Sequence, residues 1–266
     1  MTIFPNAKIN IGLDIIEKRS DGFHNLETVF YPVKLFDSID FCTADNGKEV
    51  FTLSGIQIPE DGKKNLVERA LEILRKKFEI PPLKINLFKK IPFGAGLGGG
   101  SSDAAFFLKA LNDFFKLGLS RQELVSTASV LGSDCAFFID GKPKFASGRG
   151  EIMQDAPFLD SKYEIMIIKP EFEISTAFAY SKVKPEKPQT SLFENYLKPV
   201  TEWKDLIKND FEKFLFPFYP RLAALKQKLY DCGAVYASMT GSGSALFALY
   251  DEKAVFDSEI QALRVL

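Results

Sequence analysis

The sequence predicts a fold that mixes β-strands with α-helices, and three observations lead to this class. From Ala7 to Ile16, apolar residues alternate with polar ones, a period of two that is typical of a strand with one buried face. Asn65 and Ser120 each stand three residues before a glutamate at the start of an apolar stripe, which is the pattern of a capped helix. A glycine-rich segment, Pro92–Ala105, links a second strand pattern to a further helix pattern, and the other motifs are interpreted around it.

Length and composition narrow the class of protein. The 266 residues, 46% of them hydrophobic, suffice for one large domain or two smaller ones. A formal net charge of −1 argues against a general binder of nucleic acid or membrane surfaces. We find no leader segment and no apolar run of about 18 residues, and the three isolated cysteines are typical of a cytoplasmic protein with reduced thiols. The single histidine, His24, excludes a metal site built from several histidines.

The first strand and the turn after it carry two candidate pairs. Lys8 and Asn10 lie side by side on the face opposite the apolar residues, which is either a solvent-exposed face or a functional one. Asp21-Gly22 predicts a hairpin turn with Phe23 and His24 at its tip. This pair is either a half-buried hairpin end or a ring and an imidazole that stack on, and hydrogen-bond, a flat ligand.

Strands and a helix are predicted before the glycine segment. The strands between Ile39 and Gln57 are expected to form a hairpin at Asn46-Gly47. A helix follows from the Asn65 cap to Phe78. The next strand ends in Lys89-Lys90, which either neutralise phosphate or form a solvated strand end.

The glycine segment runs from that strand end into a helix start. Its five glycines lead into two serines: Gly94, Gly96, Gly98, Gly99, Gly100, Ser101 and Ser102. Glycine is typical where backbone turns tightly or approaches a ligand, and the free N–H groups of a helix start attract phosphate. The acidic residue of a Rossmann motif, the Walker lysine and the protein-kinase motifs are all missing. We interpret the segment as a nucleotide-phosphate loop rather than a glycine-rich turn.

The rest of the chain contains one further candidate for chemistry. Asp134 follows Gly132 where a helix from Ser120 to Leu131 ends, so it is either a helix cap or a general base. Beyond a domain boundary near residues 155–162, the pattern predicts the following elements in order: a strand at 163–168, a short helix capped by Ser175, helices at Trp203–Leu215 and Pro220–Tyr230, strands at 235–240 and 245–250 joined by Gly241–Ser244, and a final helix.

The chain resembles the GHMP kinase superfamily of small-molecule kinases in six motifs that occur in order: Asn6-Ala-Lys-Ile-Asn10, Arg19-Ser-Asp-Gly-Phe-His24, Gly96–Ser102, Gly132-Ser-Asp134, Asn209-Asp-Phe-Glu212 and Met239-Thr-Gly-Ser-Gly243. Within it, the chain is most similar to the branch that acts on 4-diphosphocytidyl-2-C-methyl-D-erythritol in the non-mevalonate isoprenoid pathway. The resemblance implies a two-domain α+β fold with the active site in the cleft between the domains. It divides the chain into an N-terminal ATP-binding domain, residues 1–158, and a C-terminal domain, residues 159–266.

The resemblance also implies the roles of individual residues in an ATP-dependent phosphorylation of a 2-hydroxyl group. Asp134 would be the base, with Lys8 as its electrostatic partner. The positions on the nucleotide side are Asn65, Lys89, Pro92, Gly94, Gly96, Leu97, Gly98, Gly99, Gly100, Ser101 and Ser102. Those on the substrate side are Asn10, Phe23, His24, Thr176, Gly241, Ser242 and Gly243.

The expected partners are ATP and a cytidine diphosphate substrate, bound by a monomer or a weak homodimer. Mg²⁺ would arrive with ATP, and its protein ligand stays open between Ser101 and Ser102. Phe23 stands where the family usually has tyrosine, so a stacking face is kept and a phenol hydrogen bond is lost. Two alternatives remain: a GHMP kinase for mevalonate, homoserine or a sugar, and a non-catalytic nucleotide-binding module on the same fold.

Overall fold

The computed structural model describes residues 1–59, 62, 64–252 and 254–266. The strands are β1 (Thr2–Ile3), β2 (Asn6–Lys18), β3 (His24–Phe36), β4 (Ser38–Thr43), β5 (Val50–Gly55), β6 (Leu83–Lys89), β7 (Lys144–Ser147), β8 (Ile152–Asp155), β9 (Glu164–Ile168), β10 (Tyr236–Met239) and β11 (Leu246–Tyr250). The helices are α1 (Leu66–Arg75), α2 (Gly99–Phe114), α3 (Arg121–Leu131), α4 (Phe137–Asp140), α5 (Thr176–Lys182), α6 (Leu192–Tyr196), α7 (Trp203–Leu206), α8 (Asp210–Leu215), α9 (Pro220–Asp231) and α10 (Ser258–Leu263). None of these helices is long and apolar enough to cross a membrane.

The chain forms two compact units whose segments alternate along the sequence. The first unit comprises residues 1–7, 34–93 and 98–141. The second unit comprises residues 8–33, 94–97 and 142–266. The predicted division after residue 158 treats the domains as consecutive stretches and stays a prediction.

The first unit is a four-stranded sheet with helices α1 to α4. Its strand order is β1-β4-β6-β5. Strands β5 and β6 are parallel, and α1 lies in the connection between them because a parallel pair needs a crossover. Along β6, buried Leu83, Ile85 and Leu87 alternate with exposed residues, which gives the sheet one covered face. Helices α1, α3 and α4 all pack against α2, so the helix that follows the glycine segment is central to this unit.

The hairpin predicted at Asn46-Gly47 is wrong. A turn is present there, with the Gly47 N–H donating to the carbonyl of Ala44 at 3.0 Å. The strands on either side nevertheless lie on opposite sides of β6, with β4 antiparallel to it and β5 parallel. Because β6 begins only at Leu83, this pairing is a long-range one that the turn residues do not reveal.

The second unit contains two antiparallel sheets and helices α5 to α10. The predicted hairpin between β2 and β3 is present, and its tip is closed by the Arg19 N–H donating to the carbonyl of Phe23 at 2.8 Å. The sheet continues in the order β2-β3-β7-β8, and the other sheet has the order β10-β11-β9. A buried cluster joins residues of β2, the β9–β11 sheet and helices α8 to α10, including Leu13, Phe211 and Leu246. This cluster is the core of the unit.

The single helix predicted at Trp203–Leu215 is also wrong, because the structure has two short helices there. Between α7 and α8 the backbone is extended, and its Lys208 carbonyl accepts from the Leu13 N–H of β2 at 2.9 Å. Asn209 then caps α8 by accepting from the Phe211 N–H at 3.0 Å. The apolar pattern is helical on both sides, but pairing with β2 takes the hydrogen bonds that a continuous helix would need.

Candidate active site

Helix α2 begins without a side-chain cap. Gly98 precedes it in the left-handed conformation, with φ of 71°, and no side chain among the described residues caps its first N–H groups. No acidic residue stands in the first turn either. A 16-residue helix with this start presents free N–H donors and roughly half a positive charge, which suits an anion.

The first turn of α2 also contains a buried hydroxyl that has no partner. Ser102 is fully buried, and its Oγ forms no hydrogen bond with any other described part of the chain. At Gly99, a Cβ would lie 3.0 Å from Cγ2 of Ile91 and 3.2 Å from Nζ of Lys89, so the backbone is closely covered on that side. An unpaired buried hydroxyl beside uncapped N–H groups is what a phosphate or its metal ion would satisfy.

Lys89 is buried between two carboxylates. Its Nζ contacts Asp103 Oδ2 at 2.6 Å and also contacts Asp37, and all three side chains are at most 3% exposed. Burial raises the pKa of Asp103, the positive charge of Lys89 opposes that rise, and the nearby Asp37 adds to it. The sequence places Lys89 beside a nucleotide, whereas in the structure its ammonium group already contacts two acidic groups.

Asp37 also binds the backbone that leads into the glycine segment. Its Oδ1 accepts from the N–H groups of Lys90 at 2.5 Å and Ile91 at 2.8 Å. Its own N–H donates to the carbonyl of Pro5 at 2.9 Å. The backbone at this strand end is therefore anchored by Asp37, while the Lys90 side chain is exposed, in agreement with the solvated alternative for this residue.

Asp134 lies in a turn that is connected to the start of α2. The turn follows Gly132 at the end of α3, and Asp134 is half-buried within it. The next residue, Cys135, is buried and its thiol is hydrogen-bonded to Ser101. Burial raises the pKa of the Cys135 thiol to about 11, so it stays protonated at neutral pH. The first unit thus brings the Asp134 turn next to Ser101.

Asn65 forms the capping box that the sequence predicts. Its Oδ1 accepts from the Val67 N–H at 2.9 Å, and the Glu68 side chain accepts from the Asn65 N–H at 3.2 Å. The remaining nucleotide-side positions include Leu97, which is buried and whose carbonyl accepts from the Lys8 N–H at 3.0 Å. Pro92 is half-buried and Gly100 is exposed. At Gly94, a Cβ would lie 3.2 Å from the carboxylate of Glu173.

Lys8 is buried in the second unit and is held by oxygen dipoles. It is 3% exposed, and its Nζ donates to Oδ1 of Asn10 at 2.5 Å and to the carbonyl of Gly96 at 3.0 Å. The ring of Phe30 lies 5.2 Å from the same ammonium group. The sequence allowed this face of β2 to be either exposed to solvent or functional. In the structure it is polar and buried, so it is not a solvent-exposed face.

A hydrogen-bond network links this lysine to the turn after β10. Asn10 donates from its side-chain Nδ2 to Thr28 at 3.0 Å and from its backbone N–H to Thr240 Oγ1 at 2.9 Å. The Thr240 hydroxyl lies 3.2 Å from the carbonyl of Gly96. Asn209 donates to the carbonyls of Met239 and Gly241, both at 2.8 Å, and so fixes that turn.

Gly96 has to be a glycine at this position. Its φ is +76°, and a Cβ would lie 2.1 Å from the carbonyl oxygen of Thr240. A side chain would therefore push apart two backbone segments that are more than 140 residues apart in sequence. The second unit brings together Lys8, Asn10, Gly96 and the Gly241–Gly243 turn, which the sequence proposed as parts of one site.

The predicted substrate side contains two aromatic arrangements. The ring of Phe23 is 55% exposed at the hairpin tip, with the guanidinium of Arg149 5.0 Å from its centre. The His24 ring stacks on Tyr180, with centroids 5.0 Å apart, and burial lowers the pKa of His24. His24 is therefore mostly neutral at pH 7, with one ring nitrogen that donates and one that accepts.

Thr176, at the start of the helix that contains Tyr180, lies close to Ser242. Their hydroxyl oxygens are 3.2 Å apart, so α5 and the Gly241–Gly243 turn are adjacent in the second unit. Tyr180, which sequence reasoning missed, lies one helical turn after Thr176, and this spacing is the signal that could have indicated it. Asp37, Asp103 and Thr28 were also missed, because their partners are remote in sequence.

Acidic and sulfur ligands do not assemble into a metal site. Over residues 1–59, 62, 64–252 and 254–266, no group of three or more His, Cys, Asp or Glu residues could hold a metal ion.

Comparisons with known proteins identify the relatives of this chain. Residues 65–142 match the model for the GHMP kinases N terminal domain, and residues 194–264 match that for GHMP kinases C terminal. A 4-diphosphocytidyl-2-C-methyl-D-erythritol kinase from Bacteroides fragilis is 49% identical over 94% of this chain and 92% of its own length. A crystal structure of 4-(cytidine 5'-diphospho)-2C-methyl-D-erythritol kinase superposes with a TM-score of 0.77 at 30% identity, covering 94% of this chain and 90% of that one. The mevalonate kinase of Methanococcus jannaschii, at 15% identity and a TM-score of 0.67 over 98% of this chain and 92% of its own, shares the fold.

Proposed function

Since the chain belongs to the GHMP kinase family and is an ATP-dependent small-molecule kinase, we propose that its substrate is 4-diphosphocytidyl-2-C-methyl-D-erythritol. In this proposal it transfers the γ-phosphoryl group of ATP to the 2-hydroxyl of that substrate, a step of the non-mevalonate isoprenoid pathway. The observation that carries the proposal is the uncapped start of α2 with the unpaired Ser102 hydroxyl, in a chain 49% identical to a kinase of that name.

The nucleotide phosphates are proposed to bind at the start of α2. Its free N–H groups would donate to phosphate oxygens, and the absence of an acidic residue in the first turn avoids repulsion. Asn65, Pro92 and the other nucleotide-side residues apart from Lys89 are proposed to line the adenosine and phosphate groups. Gly99 supports this assignment, because a Cβ there would lie 3.0 Å from Cγ2 of Ile91, so the start of α2 can lie this close to the preceding strand end only with a glycine.

Mg²⁺ is proposed to enter with ATP. When bound, it would neutralise part of the charge on the phosphate oxygens. Ser102 suits this role better than Ser101, because the Ser101 side chain is hydrogen-bonded to Cys135 whereas the Ser102 hydroxyl is unpaired within the described chain. We therefore propose Ser102, rather than Ser101, as the protein ligand of the metal.

Asp134 and Lys8 are proposed to act on the reacting groups. The Asp134 carboxylate would accept the proton of the substrate hydroxyl, and the Lys8 ammonium would stabilise negative charge on the phosphoryl group in transfer. The support for Lys8 is its burial and its two hydrogen bonds to the Asn10 and Gly96 oxygens, which orient the ammonium group. Asn10, predicted on the substrate side, would then position Lys8.

The cytidine end is proposed to bind at the hairpin tip. Phe23 offers an exposed ring face for stacking, and neutral His24 offers one donor and one acceptor for the edge of a base. Thr176 and Ser242, whose hydroxyls meet, together with Gly241 and Gly243, would contact the remainder of the substrate.

The first experiment measures ADP release in a coupled assay with three alcohols. We expect turnover with 4-diphosphocytidyl-2-C-methyl-D-erythritol and at most background rates with mevalonate and homoserine. Phosphorylation of mevalonate or homoserine alone would replace the proposal with another GHMP activity. Nucleotide binding without turnover of any of the three would favour the non-catalytic module.

Asp134→Ala tests the proposed base. We expect its turnover to fall by about 10²–10⁴-fold, since general-base catalysis contributes that much, while ATP still binds. Asp113→Ala is the matched control, because Asp113 is exposed at the far end of α2. Wild-type turnover in Asp134→Ala would remove Asp134 as the base.

A further inference from the structure

The buried cluster of Asp37, Lys89 and Asp103 connects the two ends of the glycine segment. On one side, Asp37 accepts from the N–H groups of Lys90 and Ile91, the residues that lead into Pro92. On the other side, Asp103 lies one turn into α2, directly after Ser101 and Ser102. Lys89 joins the two, since its ammonium group contacts both carboxylates.

We propose that Asp37, Lys89 and Asp103 are positioning residues that hold the start of α2 and the strand end before it in the geometry that binds nucleotide phosphates. This inference rests on the proposed function in that it takes the start of α2 to be the phosphate site. In this proposal Lys89 does not contact the nucleotide. Its ammonium group binds Asp37 and Asp103, and these contacts position the backbone that binds the phosphates.

The charges of the cluster support positioning rather than direct attraction of phosphate. Two acidic groups surround one ammonium, so the cluster has no net positive charge and does not attract an anion. A lysine near a helix N-terminus also opposes the helix dipole unless acidic groups compensate it, and Asp103 and Asp37 provide that compensation. The side chain of Lys89 reaches the backbone of α2 closely, with Nζ 3.2 Å from the position of a Cβ on Gly99.

The burial of the cluster explains how three side chains can fix a segment rich in glycine. Glycines between Gly94 and Gly100 leave the backbone many conformations, and ordering them costs entropy. The cluster residues are at most 3% exposed, so solvent does not compete for their hydrogen bonds. Both chain ends that flank the glycines are therefore held at one separation before any ligand arrives, which lowers the entropy lost on binding.

Asp103→Ala distinguishes positioning from direct attraction of phosphate, because the two roles predict opposite changes in the Kd for ADP. Removing a carboxylate next to Lys89 makes the surroundings of the α2 start more positive, so a lysine that attracts phosphate directly would bind ADP more tightly. Positioning predicts the opposite: the Kd for ADP, measured by isothermal titration calorimetry, rises about tenfold. Alanine keeps the helix propensity high, so α2 itself is not penalised.

Two further variants show whether the hydrogen bond to Lys89 is responsible. Asp103→Asn keeps an oxygen that accepts from Lys89, and we expect its Kd for ADP to stay within about threefold of wild type. Asp113→Ala removes an exposed carboxylate from the same helix, and we expect no change. Should Asp103→Ala not fold, Asp103→Ser, whose hydroxyl is too short to reach Lys89, takes its place with the same expected rise.

The outcomes are distinct. An unchanged or lower Kd for ADP in folded Asp103→Ala overturns the inference, even if its melting temperature falls, because that pattern is a structural role alone. A raised Kd that Asp103→Asn does not rescue also overturns it. The calorimetry needs no second substrate, so a wild-type protein that binds ADP but does not phosphorylate the cytidine diphosphate compound would refute the proposed function and leave this inference standing.

Discussion

Two buried lysines in this molecule donate to different oxygen partners. Lys8, in the second unit, donates to the amide oxygen of Asn10 and the carbonyl of Gly96. Lys89, in the first unit, contacts the carboxylates of Asp37 and Asp103. Both are 3% exposed, so burial alone does not distinguish them. The amide and carbonyl oxygens orient the Lys8 ammonium, whereas Asp37 and Asp103 tie the Lys89 ammonium to the scaffold of the first unit.

The comparison predicts the largest loss of stability at Lys89. Lys89→Met leaves two buried carboxylates facing each other without a cation, and we expect the free energy of unfolding to fall by about 3–5 kcal/mol. Urea unfolding measures it, with Lys84→Met, an exposed lysine on the same strand, as the control. A loss below about 1 kcal/mol would mean that the acidic groups do not depend on this lysine.

At Lys8 we expect a large loss of activity. Lys8→Met removes a cation from the proposed reacting groups, and turnover should fall by about 10²–10³-fold. The coupled ADP assay measures this loss, and turnover near the wild-type rate would place Lys8 in the scaffold with Lys89.

A half-buried carboxyl with acidic neighbours extends the comparison. Burial raises the pKa of Asp14 from 3.8 to about 7, and the negative charges of Asp210 and Glu27 add to the rise. Between these pH values the folded protein holds a proton that the unfolded chain has lost. Stability therefore falls as the pH rises from about 4 to 7, and the full cost is present above pH 7.

Asp14→Asn removes that cost. At pH 8 we expect it to raise the free energy of unfolding by roughly 2 kcal/mol, allowing for the solvent-exposed part of the carboxyl, and the gain should shrink as the pH is lowered towards 4. Urea unfolding across this pH range measures the gain, and Asp45→Asn, at an exposed turn, is the control. A gain that does not vary with pH would attribute the effect to something other than ionisation.

Local sequence signals predicted the features whose partners are also local. Asn65 and Ser120 form capping boxes with glutamates three residues later, as their spacing indicates. The alternation around Lys8 gives β2, and the glycines followed by Ser101 and Ser102 give the uncapped start of α2. In each case the hydrogen bonds or the buried face repeat within a few residues, so the pattern is visible in the chain itself.

The incorrect predictions of secondary structure occurred where a segment remote in sequence forms hydrogen bonds with the backbone. Asn46-Gly47 forms a turn, but the strands before and after this turn, β4 and β5, pair with β6 and not with each other. The helical pattern from Trp203 to Leu215 is interrupted because β2 bonds to residue 208. The cluster around Lys89 was missed for the same reason, since Asp37 is 52 residues away in sequence.

The sequence by itself was sufficient to predict the family from the order of its motifs. Its local patterns predicted the mixture of strands and helices and the helix start after the glycine segment. Only the tertiary structure decided that Lys89 lies between two carboxylates, that Lys8 donates to the oxygens of Asn10 and Gly96, and that the Ser102 hydroxyl has no partner among the described residues. The reason is physical: a side chain's charge and hydrogen bonds depend on the groups that surround it once water is excluded. Those groups come from segments up to 230 residues apart.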